Sequence, residues 1–309
     1  MRIIRDISQM SFLTRKLRLQ GKGIGFVPTM GALHQGHLSL IRKARKENDI
    51  VVASIFVNPT QFGPKDDFKK YPRHFNQDVR LCKKGGVDII FYPQANRMYP
   101  DNYKTYVDIE ELGGLLCGRF RPGHFRGVAT IVTKLFNIVE PHIAYFGQKD
   151  AQQAVIIKKI VDDLNIPVRI KVMPTAREDD GLAISSRNAY LSQRERSDAV
   201  VLFRALTLAR NLVAQGNRNT FYIIQKMGRL ISQKKNAKIQ YISIVNPRDL
   251  SPLERVSGKA LISLAVWIGK TRLIDNIIIN PKSKYYKIQN KSQIPNPKLR
   301  FCPAPKLKI

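Results

Sequence analysis

Long apolar runs are missing from this 309-residue sequence. The most apolar, residues 51–57 and 260–268, fall far short of the roughly 20 residues a membrane-spanning helix requires. The opening Met1-Arg2-Ile3-Ile4-Arg5-Asp6 lacks the unbroken apolar segment of a secretory leader, so a cytoplasmic protein without a membrane partner is expected. Cysteine is scarce. Cys82, Cys117 and Cys302 are scattered, odd in number and without C-x-x-C spacing, which argues for reduced thiols and against a disulfide frame or zinc site. Acidic side chains are also few, 23 against 53 Lys and Arg, for a formal charge of +30. Such an excess attracts polyanions without regard to sequence. Yet Lys, Ile and Asn are abundant along the whole chain, and no aromatic-basic or helix-turn-helix pattern gathers the charge. Net charge informs non-specific binding rather than fold, so no specific nucleic-acid partner is expected.

What is present is an alternation. Strand-like runs at 24–28, 50–57, 88–92, 142–146 and 168–172 are separated by amphipathic stretches at 8–20, 37–48, 76–85, 127–139 and 151–164. This predicts a parallel sheet with helices on both faces, holding ligands beyond the carboxyl ends of its strands. After Pro174 the pattern changes. Helical stretches at 192–215 and 220–234 precede strand-like runs at 239–245, 259–268 and 272–279, the order of a smaller α+β unit. The expected division is 1–176 for nucleotide binding, 177–280 as a C-terminal lid, and 281–309 as a tail. The tail has eight basic residues, no acidic one and five prolines. Such a composition buries too little apolar surface to offset ordering entropy, so a mobile tail is expected.

Polar motifs fall at the ends of those strand-like runs. Pro28-Thr29-Met30-Gly31-Ala32-Leu33-His34-Gln35-Gly36-His37 follows one and precedes a helix. Unpaired N–H groups and the positive dipole end at a helix start favour phosphate, and Gly31 and Gly36 permit close backbone approach. Two imidazoles three residues apart can donate to an α-phosphate as charge builds on it. Gly21-Lys22-Gly23-Ile24-Gly25, by contrast, lies before its strand and reads as a turn, not a dinucleotide loop. In Gly147-Gln148-Lys149-Asp150, Asp150 is placed as an N-cap and Lys149 as a charge for phosphate, with the Gln153 amide nearly one turn further on. Ser185, Ser186 and Arg187, on a loop at the expected junction, suit β- and γ-phosphates that depart as pyrophosphate. Asp179 and Asp180 beside that loop are candidates for Mg²⁺. Asn58 and Gln61 are neutral amides suited to a polyhydroxylated acid, and Arg119, Arg121, His124 and Arg126 form a basic loop able to attract a carboxylate.

The segments PTMGALHQGH, SIFVNPTQF, YPR, RPGHFRGV, FGQKDAQQ, REDDGLAISSRN and RLIDN, running in this order from near residue 25 to near residue 276, resemble the pantoate–β-alanine ligase (pantothenate synthetase) family of the nucleotidyltransferase superfamily. The resemblance implies a Rossmann-like α/β fold with a smaller α+β C-terminal domain, and a homodimer. It implies that ATP, with Mg²⁺, adenylates pantoate, and that β-alanine then attacks pantoyl adenylate to give pantothenate and AMP. His37, His34 and Lys149 are the implied catalytic residues. Implied ATP contacts are Met30, Gly31, Ala32, Leu33, His34, Gln35, Gly36 and His37; Gly147, Gln148, Lys149 and Asp150; Ala176 at the adenine; and Ile184, Ser185, Ser186 and Arg187. Gln61 and Gln153 are implied for pantoate, Gln61 also for β-alanine. The resemblance itself names no protein ligands of Mg²⁺, and Gln77 stands beside Asp78 where some relatives carry an acidic pair, which argues against an auxiliary metal site there. The tail after Asn280 has no counterpart. Two alternatives stay open: another H-x-G-H nucleotidyltransferase, against which the amides at positions 58, 61 and 153 speak, and a non-enzymatic nucleic-acid-binding protein, supported by charge alone.

Overall fold

The computed structural model describes residues 1–64 and 66–281. The expectation of a mobile tail therefore lies outside the described residues from position 282 onward. The first part of the chain alternates strands and helices: β1 (Arg2–Ile4), α1 (Ile7–Leu19), β2 (Ile24–Thr29), α2 (Gln35–Glu47), β3 (Ile50–Ile55), α3 (Phe75–Gly85), β4 (Ile89–Phe91), α4 (Ala95–Met98), α5 (His124–Val139), β5 (Ile143–Gly147), α6 (Ala151–Asp163) and β6 (Arg169–Met173). The second part consists of α7 (Gln193–Ala199), α8 (Val201–Ala214), α9 (Thr220–Ser232), β7 (Ala237–Val245), β8 (Ala260–Ile268) and β9 (Thr271–Ile279).

The first six strands form one sheet, ordered β1-β4-β3-β2-β5-β6, with every pairing parallel. Alternate residues of each strand point to opposite faces. Phe26, Val52, Ala144 and Phe146 join a core with α1, α5 and α6, whereas Val27, Val51, Ala53, Ile143 and Tyr145 join another with α2 and α3. Helices thus cover both faces. From β2 the chain winds outward through β3 and β4, then returns to place β5 on the other side of β2. Strand order reverses between β2 and β5, and in open α/β sheets a crevice forms at the carboxyl ends beside such a reversal.

Strands β7, β8 and β9 make an antiparallel sheet. Its buried side chains pack with α8 and α9 in a separate core. A small cluster of Ala151, Val245, Leu250 and Leu261 joins the two parts. Three differences from the sequence expectation stand out. Strand β1 has no counterpart among the expected strands; it is a three-residue, largely exposed edge, too short for alternation to register. The stretch 192–215 is two helices rather than one, parted at Val200 with neither proline nor glycine to mark the bend. Helix α2 begins at Gln35 instead of His37, because His34 is its N-cap.

Candidate active site

The carboxyl ends of β2 and β5 open onto a cavity of about 1310 Å³, bordered on the opposite side by β9 and the segment 182–188. Thr29 anchors the turn that leaves β2. Its hydroxyl donates to Ser54 O at 2.7 Å and accepts the Gly31 N–H at 3.1 Å. Gly31 then takes φ +80°, followed by Ala32 at +49°. The buried Asp78 of α3 receives the N–H groups of Ala32 and Leu33, at 3.0 and 2.7 Å, on its two carboxylate oxygens.

The turn delivers the histidines to the start of α2. His34 Nδ1 accepts the Gly36 N–H at 3.2 Å, and His37 Nδ1 accepts the His34 N–H at 3.3 Å, so the capping box is built from two imidazoles. A ring nitrogen that accepts a hydrogen bond carries no proton, and each neutral ring therefore holds its hydrogen on Nε2. The ring centroids lie 4.1 Å apart. Burial, helped by the positive Lys149, lowers the His34 pKa to about 4. Burial, followed by His34 and Lys149, lowers that of His37 to about 3. At neutral pH both rings offer an uncharged Nε2–H donor. A side chain on Gly36 would meet His34 Cε1 at 2.9 Å; this glycine makes room for an imidazole.

Beyond β5 the chain makes one 3₁₀ turn, Gln148–Asp150, before α6. Lys149 Nζ lies 3.8 Å from Asp150 Oδ1, and both residues line the cavity. Asp150 occupies the N-cap position of α6, but its side chain makes no capping bond, contrary to expectation. Two adjacent glutamines divide their tasks. Gln152 is buried, accepting the Cys117 N–H and donating to Leu112 O and Leu115 O, whereas Gln153 lines the cavity.

Gln61 ends the 3₁₀ turn Pro59–Gln61. Its Oε1 accepts from Asn58 Nδ2 at 3.0 Å and its Nε2 donates to Met30 Sδ at 3.1 Å. Asn58 also donates to Gly127 O and accepts from the Thr60 and Tyr99 hydroxyls. The Asn58 amide is spent on the protein, so this residue supports Gln61 instead of orienting a ligand. Of the expected basic loop, Arg121 and His124 line the cavity, whereas Arg119 and Arg126 do not. Arg121 pairs with Asp66 at 2.7 Å, the Arg126 guanidinium sits 4.1 Å from the Tyr106 ring, and Arg119 lies exposed outside the cavity lining. Burial, then Arg121, lowers the His124 pKa to about 4. Across the cavity Arg187 forms a two-pronged pair with Asp67, at 3.0 and 2.8 Å. Asp180 is held by Arg196 at 2.8 Å, so it is no open metal ligand.

A family model described as pantoate-beta-alanine ligase matches residues 2–278. The chain belongs to this ligase family. A pantothenate synthetase of Caldicellulosiruptor saccharolyticus is 54% identical over 277 residues, covering 90% of this chain and 99% of that protein. The crystal structure of the Thermus thermophilus pantothenate synthetase is 42% identical with a TM-score of 0.85, over 90% of this chain and 99% of that one. The Francisella tularensis pantoate-beta-alanine ligase, crystallised with beta-gamma ATP and beta-alanine, is 37% identical with a TM-score of 0.75, over 91% and 100% of the two chains.

Among the residues singled out by resemblance to the ligase family, Gly31, Ala32, Leu33, Gln35 and Gln148 do not line the cavity; the others do. The amides of Ala32 and Leu33 are engaged by Asp78, Gln35 is exposed, and the Gln148 side chain donates to Asn276. Sequence reasoning missed the turn-holding use of Asp78, whose partners lie 45 and 46 positions away. It also missed Gly127, where an added Cβ would stand 2.3 Å from Thr60 O and 2.6 Å from Gln61 N.

Proposed function

We propose that this ligase activates pantoate with ATP and transfers the pantoyl group to β-alanine within the cavity. In the first step a pantoate carboxylate oxygen attacks the α-phosphorus, and the bond to the bridging oxygen of pyrophosphate breaks. In the second the β-alanine amine attacks the acyl carbon, the bond to the AMP oxygen breaks, and the amine releases a proton. Neither step needs a covalent bond to the enzyme; alignment and preorganised donors suffice. The reading is carried by the two uncharged Nε2–H donors of His34 and His37 beside Lys149, at the adjoining ends of β2 and β5.

In this reading His34 and His37 donate to the α-phosphate, and Lys149 supplies charge to the phosphates. Met30, Gly36, Gly147, Asp150 and Ile184 border the nucleotide, with the Ala176 backbone at the adenine. Ser185, Ser186 and Arg187 follow the departing pyrophosphate, which requires Arg187 to exchange Asp67 for phosphate. Gln61 and Gln153 orient pantoate through neutral amides, and Gln61 also borders β-alanine. Gly31, Ala32 and Leu33 serve the turn. The Francisella relative's complex supports the two ligands, ATP and β-alanine, that the cavity must admit.

Mg²⁺ enters the proposal as the counter-ion of the ATP phosphates, retaining several waters. Among the described residues no group of three or more His, Cys, Asp or Glu side chains is placed to hold a metal, and Asp66 and Asp67 are each taken by an arginine. The division into a nucleotide-binding unit, 1–176, and a lid, 177–280, belongs to the same proposal and is supported by their separate cores. So do a homodimer and a cytoplasmic location. No helix among the described residues is long and apolar enough to cross a membrane. Product analysis tests the reaction: AMP and pantothenate must form in equal amounts, and only with ATP, pantoate and β-alanine all present. Release of ADP, or AMP formation indifferent to pantoate, contradicts it.

A further inference from the structure

Asp275 and Asn276 are neighbours on β9 and yet both are buried. Consecutive residues of a strand face opposite sides, so β9 is covered on both faces at this point. Asp275 looks toward the helical layer of its own unit. It accepts both Arg177 Nη groups, at 2.7 and 2.9 Å, while that guanidinium also donates to Gly181 O and lies 4.6 Å from the Phe203 ring. Asn276 looks the other way, into the turn between β5 and α6. Its Nδ2 donates to Gln148 O at 2.9 Å and Lys149 O at 2.8 Å, and its Oδ1 accepts from Gln148 Nε2 at 3.0 Å.

Both hydrogens of this amide are therefore spent on the two carbonyls that flank one Cα, that of Lys149. Each carbonyl defines a rigid peptide plane, and the angle between the two planes is the backbone conformation of Lys149. We propose that Asn276 is a positioning residue for Lys149: it fixes the backbone from which the phosphate-binding side chain projects. Through Asp275 and Arg177 the same two-residue segment also grips the loop that leads to Ser185. Strand β9 thereby sets two phosphate-binding segments against one another, and it does so from the C-terminal unit. This inference rests on the role proposed above for Lys149.

A double-mutant cycle on the full chain separates the two ideas. Single-turnover pyrophosphate release is measured at saturating ATP and pantoate for Lys149→Ala, Asn276→Ala and the double variant, with a thermal melt of each. Lys149→Ala is expected to slow the step about a hundredfold, and Asn276→Ala by on the order of tenfold to a hundredfold, as displacement of a reacting group by an ångström does. The double variant should be no slower than Lys149→Ala, and the KM for pantoate should be unchanged in Asn276→Ala. Multiplicative losses show that Asn276 acts independently of Lys149 and overturn the proposal, as does a near-normal rate in Asn276→Ala beside a crippled Lys149→Ala. A near-normal Lys149→Ala instead overturns the role of the lysine itself and, with it, this inference. If Asn276→Ala lacks a cooperative melt, Asn276→Ser, which keeps one donor, takes its place in the same cycle, and the same outcomes decide.

Discussion

His34 and His37 are held neutral by their surroundings, and that has consequences for pH. Their pKa values in the folded chain, about 4 and about 3, lie below the ordinary 6.5. The unfolded chain takes up protons on these rings as pH falls below about 6.5 while the folded chain does not, so their contribution to stability is complete above that value and lost toward pH 3. The melting temperature should therefore be lower at pH 5 than at pH 7, and the drop should shrink in His37→Asn. Equal drops in both proteins would show that His37 is not held neutral. The same reasoning predicts an adenylation rate without a histidine limb between pH 5 and 8. His37→Ala removes one preorganised donor, and single-turnover adenylation should slow by on the order of a hundredfold or more. Survival of the rate within a few-fold in stopped-flow measurement would remove His37 from the chemistry. For these side chains the sequence was informative about which residues meet but silent on how. That the two histidines and Lys149 would meet beside one cavity was legible, since each motif follows a strand and opens a helix. The capping box that assigns their tautomers depends on backbone geometry, and the carboxylate of Asp78 reaches its turn from a different helix.

Among the elements, α5 does more than cover the sheet. It runs so close to the 3₁₀ turn Pro59–Gln61 that a Cβ at Gly127 would stand 2.3 Å from Thr60 O, and Asn58 ties the two together through Gly127 O. Gly127→Ala is predicted to destabilise the protein by about 1–3 kcal/mol, the usual cost of overpacking, and to raise the KM for pantoate by displacing Gln61. Denaturant unfolding and initial rates at varied pantoate check both, and an unchanged KM would detach Gln61 from pantoate. Apart from β1 and the short α4, which no run announced, the strands and helices of the first part were readable within a few residues, because short apolar runs such as 24–28 and 143–146 alternate with amphipathic stretches at helical spacing. Element ends were less readable. The start of α2 depends on a histidine acting as an N-cap, a residue type not counted among the usual caps, and the bend at Val200 interrupts a stretch whose apolar spacing continues through it.

Across the molecule as a whole, the two sheets enclose the cavity between them, and β9 serves both: it completes its own sheet and holds the turn carrying Lys149. Both sheets are complete by Ile279, and the family match ends at residue 278. A chain ending at Asn280 should therefore keep its cooperative melt and its ATP-dependent activity; loss of either would show that the basic tail is part of the working enzyme. Everything proposed for the cavity turns on its making an acyl adenylate before any amine arrives. Exchange of labelled pyrophosphate into ATP, in the absence of β-alanine, reads that step alone. The exchange should require pantoate and fall by on the order of a hundredfold in His37→Ala. Exchange that proceeds equally well without pantoate, or none until β-alanine is added, would rule out an adenylate formed ahead of the amine.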